Sequence, residues 1–245
     1  MHPAADEALL PQKTSAAGGL FVTGTDTDVG KTVVTSLLAA LALAKGRNVC
    51  VYKPVQTGVS SPAESDPALA QQWLGAPLAT HCSYCFGPAV TPQVADPEQT
   101  IALPHLQADL QDLRQRYDCL VVEGAGGVMV PVAPGLLMRD VMLAFALPVV
   151  VVTRPNLGTI NHTLLTVQAL QAAGLCVLGV VVSIPQAALD PKRSCDPAVA
   201  SLPSMFAQWL PVPVLAWLTP LALAPSALSP GRLNLDQYEA LAAIL

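Results

Sequence analysis

Charge is scarce in this chain. Only 12% of its 245 residues are Asp, Glu, Lys or Arg, about half the usual fraction. The net charge is −5, and lysine and arginine form no runs, which argues against nucleic acid or an acidic membrane as the main partner. Long apolar stretches are missing as well. Those around Val141–Val152 and Val212–Ala224 are short and broken by proline, too short for the ~20 residues a membrane helix needs. Met1–Ala17 lacks the basic start and apolar centre of a secretory leader, so residues 1–17 are expected to be a flexible extension of a cytoplasmic protein. The six cysteines are then cytosolic thiols. Cys82 and Cys85 form one Cys-x-x-Cys, but no second pair completes a four-ligand zinc site. The four histidines show no acid–base arrangement, and there is no Gly-x-Ser-x-Gly elbow for serine hydrolysis.

What the chain has in quantity is apolar sequence, 52% of it, enough for a large core with some to spare for a subunit interface. Nearly continuous Val/Leu/Ile runs predict strands at Gly19–Thr23, Asn48–Val55, Cys119–Glu123, Pro148–Thr153, Val177–Ser183 and Val214–Leu218, as strands covered on both faces require. Helical periodicity lies between them. It is carried by Val33, Leu37 and Leu41, by Pro67–Leu74, by Leu106, Leu110, Leu113 and Tyr117 behind Pro104, by Leu136–Ala146 and by Ile160–Ala173, with Asn234 as the expected cap of a last helix. The alternation predicts one α/β domain over residues 18–245, a mostly parallel sheet with helices on both faces. The proline-rich segments Ser60–Pro104 and Pro185–Pro230 are expected to be long ordered loops around the core.

Ligands in such a fold bind beyond the carboxyl ends of the strands, and the unusual residues fall there. Gly24-Thr25-Asp26-Thr27-Asp28-Val29-Gly30-Lys31-Thr32 sits between the first strand and the first helix. It is a phosphate-binding loop of the P-loop NTPase kind, with five residues between its outer glycines rather than the commoner four. Backbone N–H groups there surround an anion at the positive end of the helix, Lys31 reaches the outer phosphates, and Thr32 holds Mg²⁺. The chain has only five lysines. A second of them, Lys53, follows an apolar run on the same rim, within Tyr52-Lys53-Pro54-Val55-Gln56-Thr57-Gly58, and would add a cation beside the triphosphate. Glu123, followed by Gly124-Ala125-Gly126-Gly127, offers Mg²⁺ a sterically open carboxylate. Asp66 precedes a helix and on local grounds is a cap rather than a ligand. Asn156-Leu157-Gly158-Thr159-Ile160-Asn161-His162 either presents free N–H groups to a carboxylate or is an ordinary helix start capped by Thr159 or Asn161.

Taken together, Gly24–Thr32, Tyr52–Gly58, Val122–Pro131 and Leu157–Thr166 resemble the dethiobiotin synthetase family in order and rough spacing, over about Leu20 to Ser183. The resemblance implies an ATP- and Mg²⁺-dependent ligase of biotin biosynthesis that carboxylates 7,8-diaminononanoate and closes a cyclic urea through a carbamate and a carbamic–phosphoric anhydride. By it, Thr27, Lys31 and Lys53 are catalytic. Asp28, Val29, Gly30, Lys31, Thr32, Val33 and Ser183 bind nucleotide. Thr57 and Leu157, Gly158, Thr159, Ile160 and Asn161 meet the diamino acid, the last five across a homodimer interface. Thr32, Asp66 and Glu123 hold the metal.

Two departures qualify this. Many members carry Asn after the fifth strand, where it reads adenine, but Ser183 stands there. A hydroxyl lacks the paired donor and acceptor of an amide, so looser base selectivity is expected. Asp28 stands where many relatives have a longer or different side chain. The competing expectation is a partition-type ATPase switch. Such switches carry a lysine near the start of the loop, where this chain has Asp26. A cobalamin-type amide synthetase shares the loop but needs an additional glutaminase domain, for which 245 residues leave no room.

Overall fold

The computed structural model describes residues 18–75, 78–184, 197–219, 228–233 and 235–245. The expected N-terminal extension and the cap at Asn234 lie outside the described residues. The first half of the chain runs β1 (Gly18–Gly24), α1 (Lys31–Ala44), β2 (Val49–Thr57), α2 (Asp66–Leu74), β3 (Ala79–Phe86), α3 (Pro92–Ala95), α4 (Leu103–Arg116) and β4 (Cys119–Gly127). A short hairpin, β5 (Pro131–Ala133) and β6 (Leu136–Leu137), leads into α5 (Met138–Phe145). Then come β7 (Val149–Thr153), α6 (Thr159–Ala172), β8 (Val177–Ser183), α7 (Pro197–Ala200), α8 (Leu202–Trp209), β9 (Val214–Leu218) and α9 (Glu239–Ala243).

Seven strands form one sheet in the order β3-β2-β4-β1-β7-β8-β9, and every pairing in it is parallel. Successive residues of a strand alternate between faces. Leu20, Val22, Val51 and Val150 therefore join one core with α1, whereas Phe21, Tyr52, Val149 and Val151 join the other with α4 and α5. Burial on both sides is why these strands read as unbroken apolar runs. Helix α1 is buried nearly all round, from Val34 to Ala42. Its Val33 stays only half-buried and faces the cavity described below.

Within Ser60–Pro104 the expected helix over Pro67–Leu74 is present as α2 and α4 starts beside Pro104, but the long loop expected between them holds β3 and α3. Strand β3, Ala-Thr-His-Cys-Ser-Tyr-Cys-Phe, is at the edge of the sheet and most of its residues are half-buried. With a single neighbouring strand and side chains that stay partly in solvent, it needs no unbroken apolar run to hold it. The segment 185–230 likewise holds α7 and α8 as well as the expected β9.

Candidate nucleotide-binding and catalytic site

Strands β2 and β4 run on past their expected ends, to Thr57 and Gly127, so Lys53 and Glu123 lie inside strands with backbone continuing beyond them. Their mutual pairing stops at Tyr52↔Val122. From Lys53 onward β2 continues against β3 alone, through Thr57↔Phe86. Past Val22↔Glu123 the β1–β4 register slips before Gly24↔Gly127. The sheet therefore opens between β2 and β4, where β1 gives way to the phosphate loop.

The gap is a cavity of about 740 Å³ lined by Thr27, Asp28, Gly30, Lys31, Thr32, Val33, Lys53, Thr57, Asp66 and Glu123 among the residues singled out from sequence. Lys53, 3% exposed, and Glu123, 1% exposed, meet at its floor. Lys53 Nζ lies 2.6 Å from Asp66 Oδ2 and 2.7 Å from Glu123 Oε1, and donates to the Gly124 carbonyl at 3.2 Å. Burial works against the ammonium, but the two carboxylates outweigh it and raise its pKa above the ordinary lysine value. Burial raises the Glu123 carboxyl, with Lys53 opposing and Asp66 adding to the rise. Asp66, less enclosed, is held below the usual carboxylate range because Lys53 overcomes its burial.

Lys31 Nζ bends back to the Asp26 carbonyl at 2.8 Å. Burial lowers its pKa to about 8, and the neighbouring Lys53 charge adds to that. Thr32 donates to Glu123 Oε1 at 3.1 Å, while the buried Glu123 Oε2 has no hydrogen-bond partner. A buried carboxylate oxygen left unpaired is costly. Beside a hydroxyl and a second carboxylate, it fits a hard, oxygen-seeking cation that takes its remaining ligands from phosphates and water. The donor set thus suits Mg²⁺.

Asp66 is not a helix cap. Ser65 occupies that position and accepts from Ala68 N, while the Asp66 N–H donates to Gln56 Oε1 at 3.0 Å. Gln56 holds the start of α2 and aims the Asp66 side chain at Lys53. It sits in the Lys-Pro-Val-Gln-Thr-Gly stretch, where its type and spacing alone do not mark it as functional. Ala89, Val90, Thr91 and Pro92 also line the cavity, and nothing in their small apolar sequence marks them.

Gly30 adopts a left-handed conformation, φ 95°, and begins α1 with no side-chain cap and no acidic residue in the first turn. Asp28 is also left-handed, φ 57°, a geometry Asp tolerates better than most residues. The loop therefore presents uncompensated N–H groups at a helix N-terminus, an anion site by construction of its backbone.

Other expected residues lie elsewhere. The Val29 side chain is in the core, 2% exposed, leaving only its backbone to the loop. The Ser183 side chain seats against Gly30, where an added Cβ would collide with it, and does not line the cavity. Leu157, Gly158, Thr159, Ile160 and Asn161 stand outside the cavity of their own chain. Leu157 is 84% exposed. Gly158 caps α6 in the left-handed conformation, φ 90°, with no side-chain cap, so neither Thr159 nor Asn161 caps the helix.

A parallel sheet with this loop and an uncapped α1 defines an ATPase-type P-loop fold. Solved structures agree on the fold. The MinC:MinD cell division protein complex of Aquifex aeolicus matches with TM-score 0.57 and 13% identity, over 93% of this chain and 94% of that one. A ParA family ATPase from Chlorobium tepidum matches with TM-score 0.56 and 11% identity, over 92% and 98%. A family described as an AAA domain matches residues 18–224.

Relatives in sequence narrow the class. The ATP-dependent dethiobiotin synthetase of Bacillus subtilis subsp. natto is 39% identical over 170 residues, 67% of this chain and 74% of the relative. The enzyme of the same description from an Anaeromyxobacter species is 39% identical over 184 residues, 74% and 82%, and that of Methanococcus vannielii 38% over 170 residues, 67% and 78%. The chain belongs to the dethiobiotin synthetase family.

Proposed function

We propose that the protein is an ATP-dependent ligase that makes dethiobiotin from 7,8-diaminononanoate and carbon dioxide, releasing ADP and phosphate. The observation that carries this reading is the buried cluster of Lys53, Asp66 and Glu123, set beside Lys31 and Thr32 in one open cavity. Among the described residues, none of the nucleophile arrangements of covalent catalysis lines that cavity. The chemistry is positioning and charge neutralisation.

One amine of the substrate adds to carbon dioxide and loses a proton, giving a carbamate. A carbamate oxygen attacks the γ-phosphorus as ADP departs. The second amine then attacks the carbonyl carbon of the mixed anhydride, phosphate leaves with the bonding electrons, and loss of the amine proton closes the cyclic urea. Lys53 neutralises the carbamate and γ-phosphoryl oxygens. Lys31 and Thr27 do the same along the phosphates, and the backbone of Asp28–Val33 cradles them. Thr57 meets the diamine. Thr32, Asp66 and Glu123 would hold Mg²⁺, which supplies charge neutralisation on the phosphate oxygens when bound. Ser183, supporting Gly30 from behind, acts on the nucleotide through the loop.

The exposed Leu157 and Gly158 and the first turn of α6 fit a homodimer in which they close a second copy's cavity, the α6 N-terminus receiving the substrate carboxylate. Among the described residues no helix is long and apolar enough to cross a membrane. Thiols at Cys50, Cys82, Cys85 and Cys119 fit the reducing cytoplasm.

The test is purified protein with Mg·ATP, the diamine and labelled bicarbonate. Label entering an acid-stable cyclic urea only when the diamine is present supports the reading. Phosphate release indifferent to the diamine sinks it in favour of a nucleotide switch.

A further inference from the structure

Four threonine hydroxyls connect the phosphate loop to the beginning of α6. Thr25 Oγ1, in the loop, donates to Thr153 Oγ1 at 3.3 Å. Thr163 Oγ1, in the second turn of α6, donates to the same oxygen at 3.1 Å. Thr153 and Thr159 Oγ1 are 2.7 Å apart. A hydroxyl has one proton and two acceptor positions. With Thr25 and Thr163 filling both acceptor positions of Thr153, its own proton goes to Thr159. Thr153, Thr159 and Thr163 are 1%, 2% and 0% exposed, so no water competes and each bond has its interior strength. The backbone reinforces the link, since Thr25 N donates to Val152 O at 2.9 Å. The Asp26–Arg154 pair at 3.5 Å spans the same two elements outside, but as an exposed pair it adds little.

We infer that Thr153 is a positioning residue that couples occupancy of the phosphate loop to the placement of the α6 N-terminus. Thr153 ends β7, and its three partners lie in the phosphate loop (Thr25) and the first two turns of α6 (Thr159 and Thr163), the elements that, on the reading above, receive phosphate and the substrate carboxylate. The movable part is Lys31. It is hydrogen-bonded to the Asp26 carbonyl, one residue from Thr25. When a phosphate takes the ammonium, that carbonyl is released and the Thr25–Asp26 segment is free to shift. The Thr25 bond, longest of the set, carries the shift into Thr153, and the buried bonds to Thr159 and Thr163 pass it to the first two turns of α6. Because residues 157–161 are outside their own cavity, the effect is felt at a second copy's site in the proposed dimer.

Hydrogen exchange across α6, with and without Mg²⁺ and a non-hydrolysable ATP analogue, tests this without requiring the diamine. In the wild type, nucleotide should slow exchange in residues 159–166 about fivefold or more, the lower end of ordinary coupling factors. Thr153→Val, which keeps the shape and removes the hydroxyl, should lose that response while nucleotide affinity by calorimetry stays within about threefold, less than one pK-sized step. Thr153→Ser should retain the response, and Thr25→Val, a half-buried change that leaves the interior intact, should lose it. An unresponsive α6 in the wild type overturns the inference, as does a wild-type response in Thr153→Val or in Thr25→Val. Dethiobiotin formation measured in parallel separates the two ideas. Product without an α6 response removes the coupling alone, and a response without product removes the proposed reaction alone.

Discussion

Lys53 and Glu123 occupy the first positions past the last paired residues of β2 and β4, Tyr52 and Val122, and their charged atoms are 2.7 Å apart. Where the backbone ladder ends, a side-chain ion pair takes over. Both groups are almost entirely buried, so each depends on the other to remain charged. Removing one partner of such a pair typically costs about 3–5 kcal/mol, because the other is left uncompensated.

Lys53→Gln should therefore lower dethiobiotin formation by about 100- to 1,000-fold, as loss of a transition-state charge contact does, while largely retaining nucleotide binding by calorimetry. Undiminished turnover would remove Lys53 from the mechanism. In stability, Lys53→Met should be strongly destabilising, and adding Glu123→Gln should restore about 1–3 kcal/mol, the usual coupling of contacting residues. Strict additivity in urea unfolding would refute the pairing.

Lys31 carries a different signature. Its pKa in the folded protein, lowered to about 8 by burial, lies below the ordinary lysine value of 10.5. Between those two pH values the unfolded chain binds more protons, so stability from this group rises with pH. Below pH 8 the buried ammonium imposes its full penalty, of order 1–3 kcal/mol. Lys31→Met should stabilise the protein at pH 7, should lose much of that advantage by about pH 10, and should abolish nucleotide binding. Calorimetry above pH 8 in buffers of different ionisation enthalpy should register proton uptake when the nucleotide binds wild type. A destabilised Lys31→Met at pH 7 contradicts this account.

The dimer makes a complementation prediction. Gly158→Val forces a β-branched residue into a backbone with φ 90°, a genuine outlier for that side chain, and should inactivate the loop that serves the second copy. Lys53→Gln inactivates the cavity of its own chain. Each variant alone should be inactive. Refolding them together should restore about a quarter of wild-type activity, by random reassortment of a twofold assembly. A mixture no more active than its parts means that the loop does not act across an interface.

Base selectivity is the fourth expectation. Ser183 lacks the paired donor and acceptor of an amide, and its side chain is seated against Gly30. Competition of GTP, CTP and UTP against labelled ATP should show inhibition within about one order of magnitude of unlabelled ATP, since no bidentate base contact comes from this position. Strong rejection of the other triphosphates would show that a different residue reads the base.

Much of the fold was legible because central strands must be apolar on both faces, and β1, β2, β4, β7 and β8 announce themselves that way. Strand β3 did not. An edge strand with polar residues such as His81 and Ser83 has the pattern of a loop until its partner is known. The site divides along the same line. Gly24–Thr32 is local, a turn whose chemistry depends on residues adjacent in the chain, so the places of Lys31 and Thr32 follow from spacing alone. The setting of Asp66 is not local. Its neighbours name it a cap, and only Gln56 and Lys53, from another element, turn it into a carboxylate of the cavity.

The amino-acid order by itself determined a parallel α/β sheet and an anion-binding loop, because both rest on periodicity and short-range backbone geometry. Only the tertiary structure decided that β2 and β4 part company after Tyr52 and Val122, that Lys53 bridges two carboxylates in the gap, and that 157–161 do not line the cavity of their own chain. Those facts depend on where strands separated by some 70 positions in sequence cease to hydrogen-bond. Non-local register is invisible to any window read along one chain.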